Sequence, residues 1–177
     1  STCPKGKWCT AGLVVDCTVG TYNPLEGQDL GTACKPCPEF STSPAASTAL
    51  SACTCRAGFL STTDAITGAV TCQCPPGYEI LNGLSCSPCT FGAFKAVSGN
   101  VKCADCPLER STTLAVGATG VEVCVCKPEF FLTPGANGTL SCAPCDPAAT
   151  DCARAGASLA GLPLRPGYWR ARNTSIR

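Results

Sequence analysis

The sequence predicts a small disulfide-rich fold, mostly β-hairpins and loops, built as elongated tandem cysteine-rich repeats with little helix. Three observations predict it. Eighteen of the 177 residues are cysteine, an even number. Leu, Ile, Val and Phe supply only 33 residues, below the roughly 20% that an ordinary core needs. A chain so poor in large side chains stays disordered unless covalent links hold it. Finally, the cysteine gaps alternate between short and long, which is the mark of a repeat.

The same numbers exclude several functions. Reducing compartments do not keep such a thiol density unless metal holds it, which argues against a cytosolic enzyme. Thirteen basic residues against 12 acidic ones leave a net charge of +1, so nucleic acid is not an expected partner. Without histidine there is no Ser-His-Asp triad, no Cys-His dyad and no imidazole ligand for a metal. No run of 18 apolar residues occurs, so no transmembrane segment is expected. The sequence opens at Ser1 without Met or a charged-then-apolar leader. It reads as an extracellular piece of a longer secreted or surface protein, its signal peptide removed or upstream.

From Cys34 to Cys145 the close pairs are C-x2-C (Cys34/Cys37, Cys86/Cys89, Cys103/Cys106, Cys142/Cys145) or C-x-C (Cys53/Cys55, Cys72/Cys74, Cys124/Cys126). Cys17 to Cys72 has gaps of 16-2-15-1-16, and Cys89 to Cys142 has 13-2-17-1-15. The intervening text aligns as well. Cys17-Thr18-Val19-Gly20-Thr21-Tyr22 matches Cys89-Thr90-Phe91-Gly92-Ala93-Phe94, and Cys55-Arg56-Ala57-Gly58-Phe59 matches Cys126-Lys127-Pro128-Glu129-Phe130. The organisation read from this is an N-terminal cysteine segment (1–16), a first six-cysteine repeat (17–73), a hairpin spacer (74–88), a second repeat (89–144) and a C-terminal segment with an Arg-rich tail (145–177).

Spacing does not fix pairing uniquely. A disulfide needs Cα atoms about 4.4–6.8 Å apart and converging Cβ vectors, so the two members of a close pair belong to different bridges. The simplest solution closes each loop on itself: Cys3–Cys9, Cys17–Cys34, Cys37–Cys53, Cys55–Cys72, Cys74–Cys86, Cys89–Cys103, Cys106–Cys124, Cys126–Cys142 and Cys145–Cys152. The rival is an interlaced 1–3, 2–4 pattern, as in epidermal-growth-factor modules. With local links only, the expected shape is a rod or bent ladder.

Two loop types alternate. In one, an aromatic (Tyr22, Phe59, Tyr78, Phe94, Phe130) follows the opening cysteine and is expected to cover that loop's disulfide. Tyr78 to Cys86 reads as a hairpin turning at Asn82-Gly83, because a type I′ turn needs positive φ at both central residues. The other type, residues 41–48 and 111–119, is rich in Ser, Thr and Ala and reads as ordered loop. Thr150 to Gly161 is the one candidate helix, with Thr150 as cap, alanines within and Gly161 and Pro163 at its end.

The stretch from Cys86 to Cys145 contains Gly92-Ala93-Phe94-Lys95, Cys103-Ala104-Asp105-Cys106-Pro107, Gly117-Ala118-Thr119 and Cys124-Val125-Cys126. It resembles the cysteine-rich, growth-factor-like region of ephrin receptors, and Cys17 to Cys72 resembles a looser copy. Cys3-Pro4-Lys5-Gly6-Lys7-Trp8-Cys9 and Leu164-Arg165-Pro166-Gly167-Tyr168-Trp169-Arg170 are similar to segments of large algal and protist surface proteins that carry such repeats. The resemblance implies module type and an extracellular setting. It does not imply receptor activity, since these modules serve receptors, adhesins and filaments alike.

The same residues bear on site chemistry. Cys86-x2-Cys89-x13-Cys103-x2-Cys106 approaches a zinc-ribbon spacing, but the recurring C-x-C pairs do not fit a ribbon. Redox work at Cys34-Lys35-Pro36-Cys37 or Cys86-Ser87-Pro88-Cys89 needs a thiolate at a helix N-terminus, and no helix follows either. Twelve scattered acids argue against calcium. No cofactor is expected. Two sequons place N-glycans at Asn137 and Asn173. Residues 1–152 carry eight basic and 12 acidic groups, whereas 153–177 carry five arginines and no acid. That tail, with Arg165, Tyr168, Trp169, Arg170 and Arg172, is the candidate surface for a protein partner: a flanking domain of the same larger chain or another copy. The leading function is a non-enzymatic structural module of a filament-forming surface or appendage glycoprotein. The alternatives are a ligand-binding receptor or adhesin ectodomain and, more weakly, a zinc or redox protein.

Overall fold

A computed structural model describes residues 2–135, 138–172 and 175–176. The described residues contain no α-helix. They form short hairpins, each odd-numbered strand through β15 pairing with the strand after it. The first four pairs are β1 (Lys7–Thr10) with β2 (Leu13–Asp16), β3 (Thr21–Tyr22) with β4 (Lys35–Pro36), β5 (Ser41–Thr42) with β6 (Thr54–Cys55), and β7 (Leu60–Thr63) with β8 (Val70–Gln73). Next come β9 (Tyr78–Leu81) with β10 (Ser85–Pro88), β11 (Ala93–Phe94) with β12 (Ala104–Asp105), β13 (Ser111–Thr113) with β14 (Cys124–Cys126), and β15 (Phe130–Pro134) with β16 (Leu140–Pro144). β17 (Ala157–Ser158) adds to β15 in parallel, and β18 (Arg170–Arg172) pairs with β19 (Ser175–Ile176). Single 3₁₀ turns at Gly31–Ala33, Leu50–Ala52 and Val121–Val123 each lead into a cysteine.

Two compact units make up the chain. One comprises Ser1–Pro75, Ile80–Cys86 and Ser98–Asn100; the other comprises Pro76–Glu79, Ser87–Val97 and Val101–Arg177.

Nine disulfides join consecutive cysteines, from Cys3–Cys9 to Cys145–Cys152, with no free thiol. These half-cystines are the interior. The buried apolar residues are Cys3, Cys17, Cys53, Cys72, Cys74, Cys89, Cys126 and Cys152 with Ala93, Ala149 and Leu162. Large side chains stand outside: Leu13, Val19, Leu30, Leu84, Phe91 and Val97 are all more than 60% exposed. The loop aromatics contribute less than expected. Tyr22, Phe59, Phe94 and Phe130 are half-buried and Tyr78 is exposed. Phe59 instead stacks on Phe40, ring centroids 4.9 Å apart.

The hairpin read at Asn82-Gly83 is present. Asn82 (φ 52°) and Gly83 (φ 67°) are both left-handed, and the Leu84 N–H donates to the Leu81 carbonyl at 3.1 Å. This backbone combination matches the right-handed twist of the flanking strands.

The helix expected from Thr150 to Gly161 does not form. Thr150 hydroxyl and N–H both donate to the Asp146 carbonyl, and Gly156 turns left-handed at φ 85°. Ala157 and Ser158 then run parallel to Phe131 and Leu132. Alanine-rich propensity amounts to a few tenths of a kcal/mol per residue. A bridge at Cys145–Cys152 and strand pairing with β15 outweigh it.

One hydrogen-bond scheme recurs in both units. Gly6 N–H donates to Asn23 O (2.9 Å), as Gly77 N–H does to Lys95 O (2.8 Å). Cys17 N–H donates to Gly6 O and Cys89 N–H to Gly77 O; Ala46 N–H donates to Cys17 O and Gly117 N–H to Cys89 O. Cys3-Pro4-Lys5-Gly6 thus stands to Cys17 as Cys74-Pro75-Pro76-Gly77 stands to Cys89. The two glycines are left-handed (φ 76° and 77°), and a Cβ on either would collide with the carbonyl of Ala46 or Gly117. Replacing Gly6 or Gly77 by Ala is expected to cost about 1–3 kcal/mol or more. Gly12→Ala, equally left-handed but in open space, should cost about 1 kcal/mol. Denaturant unfolding with the disulfides intact measures the difference. Removing the pair Cys89 and Cys103 together should lower stability by about 2–5 kcal/mol in the same assay.

Candidate functional site

The interior holds polar side chains beside the sulfurs: Asn23, Ser41, Ser43, Ser47, Lys95, Ser111, Thr113 and Thr150 are buried. Most are spent on the backbone. Ser41 hydroxyl donates to Pro38 O, and Ser111 hydroxyl makes the equivalent bond to Leu108 O. Ser43 hydroxyl donates to Thr21 O at 2.9 Å. Burial without such partners would cost roughly 1–3 kcal/mol per group.

Asn23 is the most completely used. Its amide nitrogen donates to Lys7 O at 2.9 Å and its side-chain oxygen accepts Leu25 N–H at 3.0 Å. Its main-chain N–H donates to Ser47 O while its carbonyl accepts Gly6 N–H. Lys95 holds the same place in the second unit, donating from its N–H to Ala118 O. Burial pushes the Lys95 ammonium below its usual pKa, and the Glu79 carboxylate partly opposes that. Glu79 Oε2 also accepts the Cys103 N–H at 2.9 Å. Sequence reading passed over Asn23 and Glu79. The available signal was the repeated Cys-Pro-x-Gly opening, which aligns Asn23 with Lys95.

At the tip of the β7–β8 hairpin, Asp64 accepts Ile66 N–H, Thr67 N–H and the Thr67 hydroxyl. The Thr67 N–H leads in holding its pKa below that of a free aspartate.

The structure separates the candidate tail residues. Arg165 lines an open concavity of about 430 Å³ with Glu129, Phe130, Asp151 and Cys152. The Phe130 ring also carries the Arg110 guanidinium 4.9 Å from its centroid. Tyr168 and Trp169 are 40% and 58% exposed and do not line that concavity. Arg170 and Arg172 lie on β18, in register with Ile176 and Ser175. Asn137 and Asn173 fall outside the described residues. Among the described residues no group of three or more Cys, Asp or Glu could hold a metal ion, and no helix is long and apolar enough to cross a membrane.

Lys95 sets the sign of one pH effect. With its folded-state pKa below 10.5, the unfolded chain binds more protons between those two values. Stability therefore rises as pH climbs through that window, reaching its full gain above 10.5. Denaturant titrations of the oxidised protein across alkaline pH should show the rise, and Lys95→Gln should abolish it.

Residues 77–124 match the family model described as tyrosine-protein kinase ephrin type A/B receptor-like. Ephrin type-B receptor 2 of Coturnix japonica is 43% identical over 61 residues, 34% of this chain and 6% of the receptor. Ephrin type-B receptor 4a of Danio rerio is 45% identical over 62 residues, with the same coverage. Ephrin type-A receptor 6 of Rattus norvegicus is 39% identical over 71 residues, 40% of this chain and 6% of the receptor. The chain thus spans a small fraction of the curated relatives it matches. Its matched stretch contains the Lys95 scheme and two whole bridges, Cys89–Cys103 and Cys106–Cys124, with Cys74 of the Cys74–Cys86 bridge outside it. This protein carries a disulfide-rich, cysteine-rich repeat of the ephrin-receptor-like type.

Proposed function

We propose that the chain is a non-enzymatic extracellular structural module, a disulfide-laddered spacer within a larger surface or appendage glycoprotein that assembles into filaments. One observation carries this reading: the same backbone scheme, closed by bridges between consecutive cysteines, recurs in successive repeats. The buried polar groups support it, because they hold the backbone instead of converging on a reacting centre. Disulfides in this number belong to an oxidising, extracellular setting. Its partners are then proteins: copies of itself or flanking domains of the larger chain. N-glycans at Asn137 and Asn173 belong to the same proposal.

A second reading, a receptor or adhesin ectodomain, is favoured by the relatives, which are receptors by name. The two separate in one experiment. The oxidised protein is passed over immobilised ephrin ectodomains and, in parallel, followed by sedimentation and electron microscopy for self-association. Association into ordered polymers with no ephrin binding is the expected result. Micromolar or tighter ephrin binding by a chain that stays monomeric would replace the spacer by the receptor reading.

A further inference from the structure

Four loops of this chain open alike: Cys17-x2-Gly20, Cys55-x2-Gly58, Cys89-x2-Gly92 and Cys126-x2-Glu129. Each then enters a short strand whose inner edge pairs with a strand that contains or directly follows the loop's closing cysteine. In three of the four, a second segment covers the outer edge in parallel. Tyr22 bridges Ser47 and Phe94 bridges Ala118, both parallel. Phe131 and Leu132 pair with Ala157 and Ser158, also parallel. The covering segment has one chemistry in all three: a left-handed small residue (Ala46, Gly117 or Gly156) followed by Ser or Ala. In each, the N–H of the left-handed residue donates to the carbonyl of the opening cysteine, Cys17, Cys89 or Cys126, at 2.8–2.9 Å.

The fourth strand is β7. By register Ser61 sits opposite Cys72, as Leu132 sits opposite Cys142, so Ser61 holds the place of Asn23, Lys95 and Leu132. At those three places the outer edge is engaged: Asn23 N–H by Ser47 O, Lys95 N–H by Ala118 O, and the Leu132 carbonyl by Leu159 N–H. Among the described residues no segment pairs with the outer edge of β7. Exposure agrees. Asn23 and Lys95 are buried and Leu132 is half-buried, but all four residues of β7 are exposed, Leu60 by 46%. The cause lies in the sequence. After Cys34 and Cys103 a C-x2-C step leads into a Ser/Thr/Ala-rich loop that returns alongside. After Cys72, Gln73 and Cys74 lead straight to Pro75-Pro76 and the next hairpin. The edge is also unguarded. Leu60-Ser61-Thr62-Thr63 has no charge and no proline, the two devices that usually blunt an exposed strand.

We propose that the outer edge of β7 is a strand-addition site for a neighbouring protein chain. Its occupant is an extended, uncharged small-residue segment of the Gly/Ala-then-Ala/Ser kind, bound in parallel as β17 is on β15. Main-chain hydrogen bonds would supply the affinity and the Leu60 and Thr62 side the contact surface, as in other strand additions. The proposal holds whether the chain serves as spacer or as receptor ectodomain, and it fails separately from both.

The test uses the full oxidised chain, labelled with ¹⁵N, and a synthetic end-capped peptide copying the uncharged residues 155–161. At millimolar peptide, the Ser61 and Thr63 amides should shift and gain protection from hydrogen exchange. Ser61→Pro removes the outward donor and leaves the inner ladder; it should weaken the effect at least tenfold, with spectra elsewhere unchanged. If that variant does not fold, a peptide N-methylated at the Ala157 position serves instead and should bind at least tenfold more weakly than the parent. Absence of any response at Ser61 and Thr63 overturns the proposal. So does a concentration-dependent dimer whose protected amides are those of β7 without peptide, because that result assigns the edge to antiparallel pairing of two copies.

Discussion

The structure depends on covalent closure of short loops. Bridged cysteines lie six to 18 positions apart in sequence, with Cα atoms 5.5–6.5 Å apart. In the loop-entropy picture a closure of about 15 residues takes roughly 3 kcal/mol of freedom from the unfolded chain. Such terms are not additive, but several together exceed what scattered Leu and Val can contribute. That is why Leu13, Val19 and Phe91 can stand in solvent without unfolding the protein. Sulfur occupies the centre, and apolar side chains become surface.

A narrow interior of this kind puts weight on the backbone. Strands of two to five residues leave many N–H and C=O groups without a ladder partner, and buried ones must still be paired. Asn23, Ser41, Ser43 and Thr113 meet that need from within. Left-handed residues meet it geometrically: Phe40 and Arg110, both at φ 59°, turn the chain so that their carbonyls accept Arg56 and Lys127 N–H. Neither is glycine, so each carries backbone strain of order 1–2 kcal/mol, which the surrounding bridges and hydrogen bonds hold in place.

The two copies solve one problem with different residues. Asn23 is neutral and meets four partners. Lys95 brings a charge to the same place, and the Glu79 carboxylate lies close enough to oppose the penalty of burial. Gly20, Gly58 and Gly92 likewise correspond to Glu129, a non-glycine at φ 71°, whose N–H donates to Cys152 O where Gly20 N–H donates to Ser43 O. The C-terminal segment therefore begins a third round of the scheme, closed early by Cys145–Cys152.

The sequence by itself determined the disulfide-rich class, the repeated gaps and the Asn82-Gly83 turn. Each is a local property: cysteine density, spacing, and a pair of residues suited to positive φ. Spacing also put the two members of each close pair in different bridges, because cysteines one or two residues apart cannot readily bridge each other, and it left sequential and interlaced closure both open. What the chain does between its cysteines was decided in three dimensions. Residues 150–161 have helix composition yet become a left-handed turn and a strand, because the edge of β15 offers main-chain partners that alanine propensity cannot match. Asn23, Glu79 and Lys95 look like ordinary surface residues until Gly6 and Gly77 bring distant segments against them. Whether a strand edge is covered, as at Tyr22, or has no strand partner among the described residues, as at Ser61, depends on where the chain returns after its next cysteine, and only the fold shows that return.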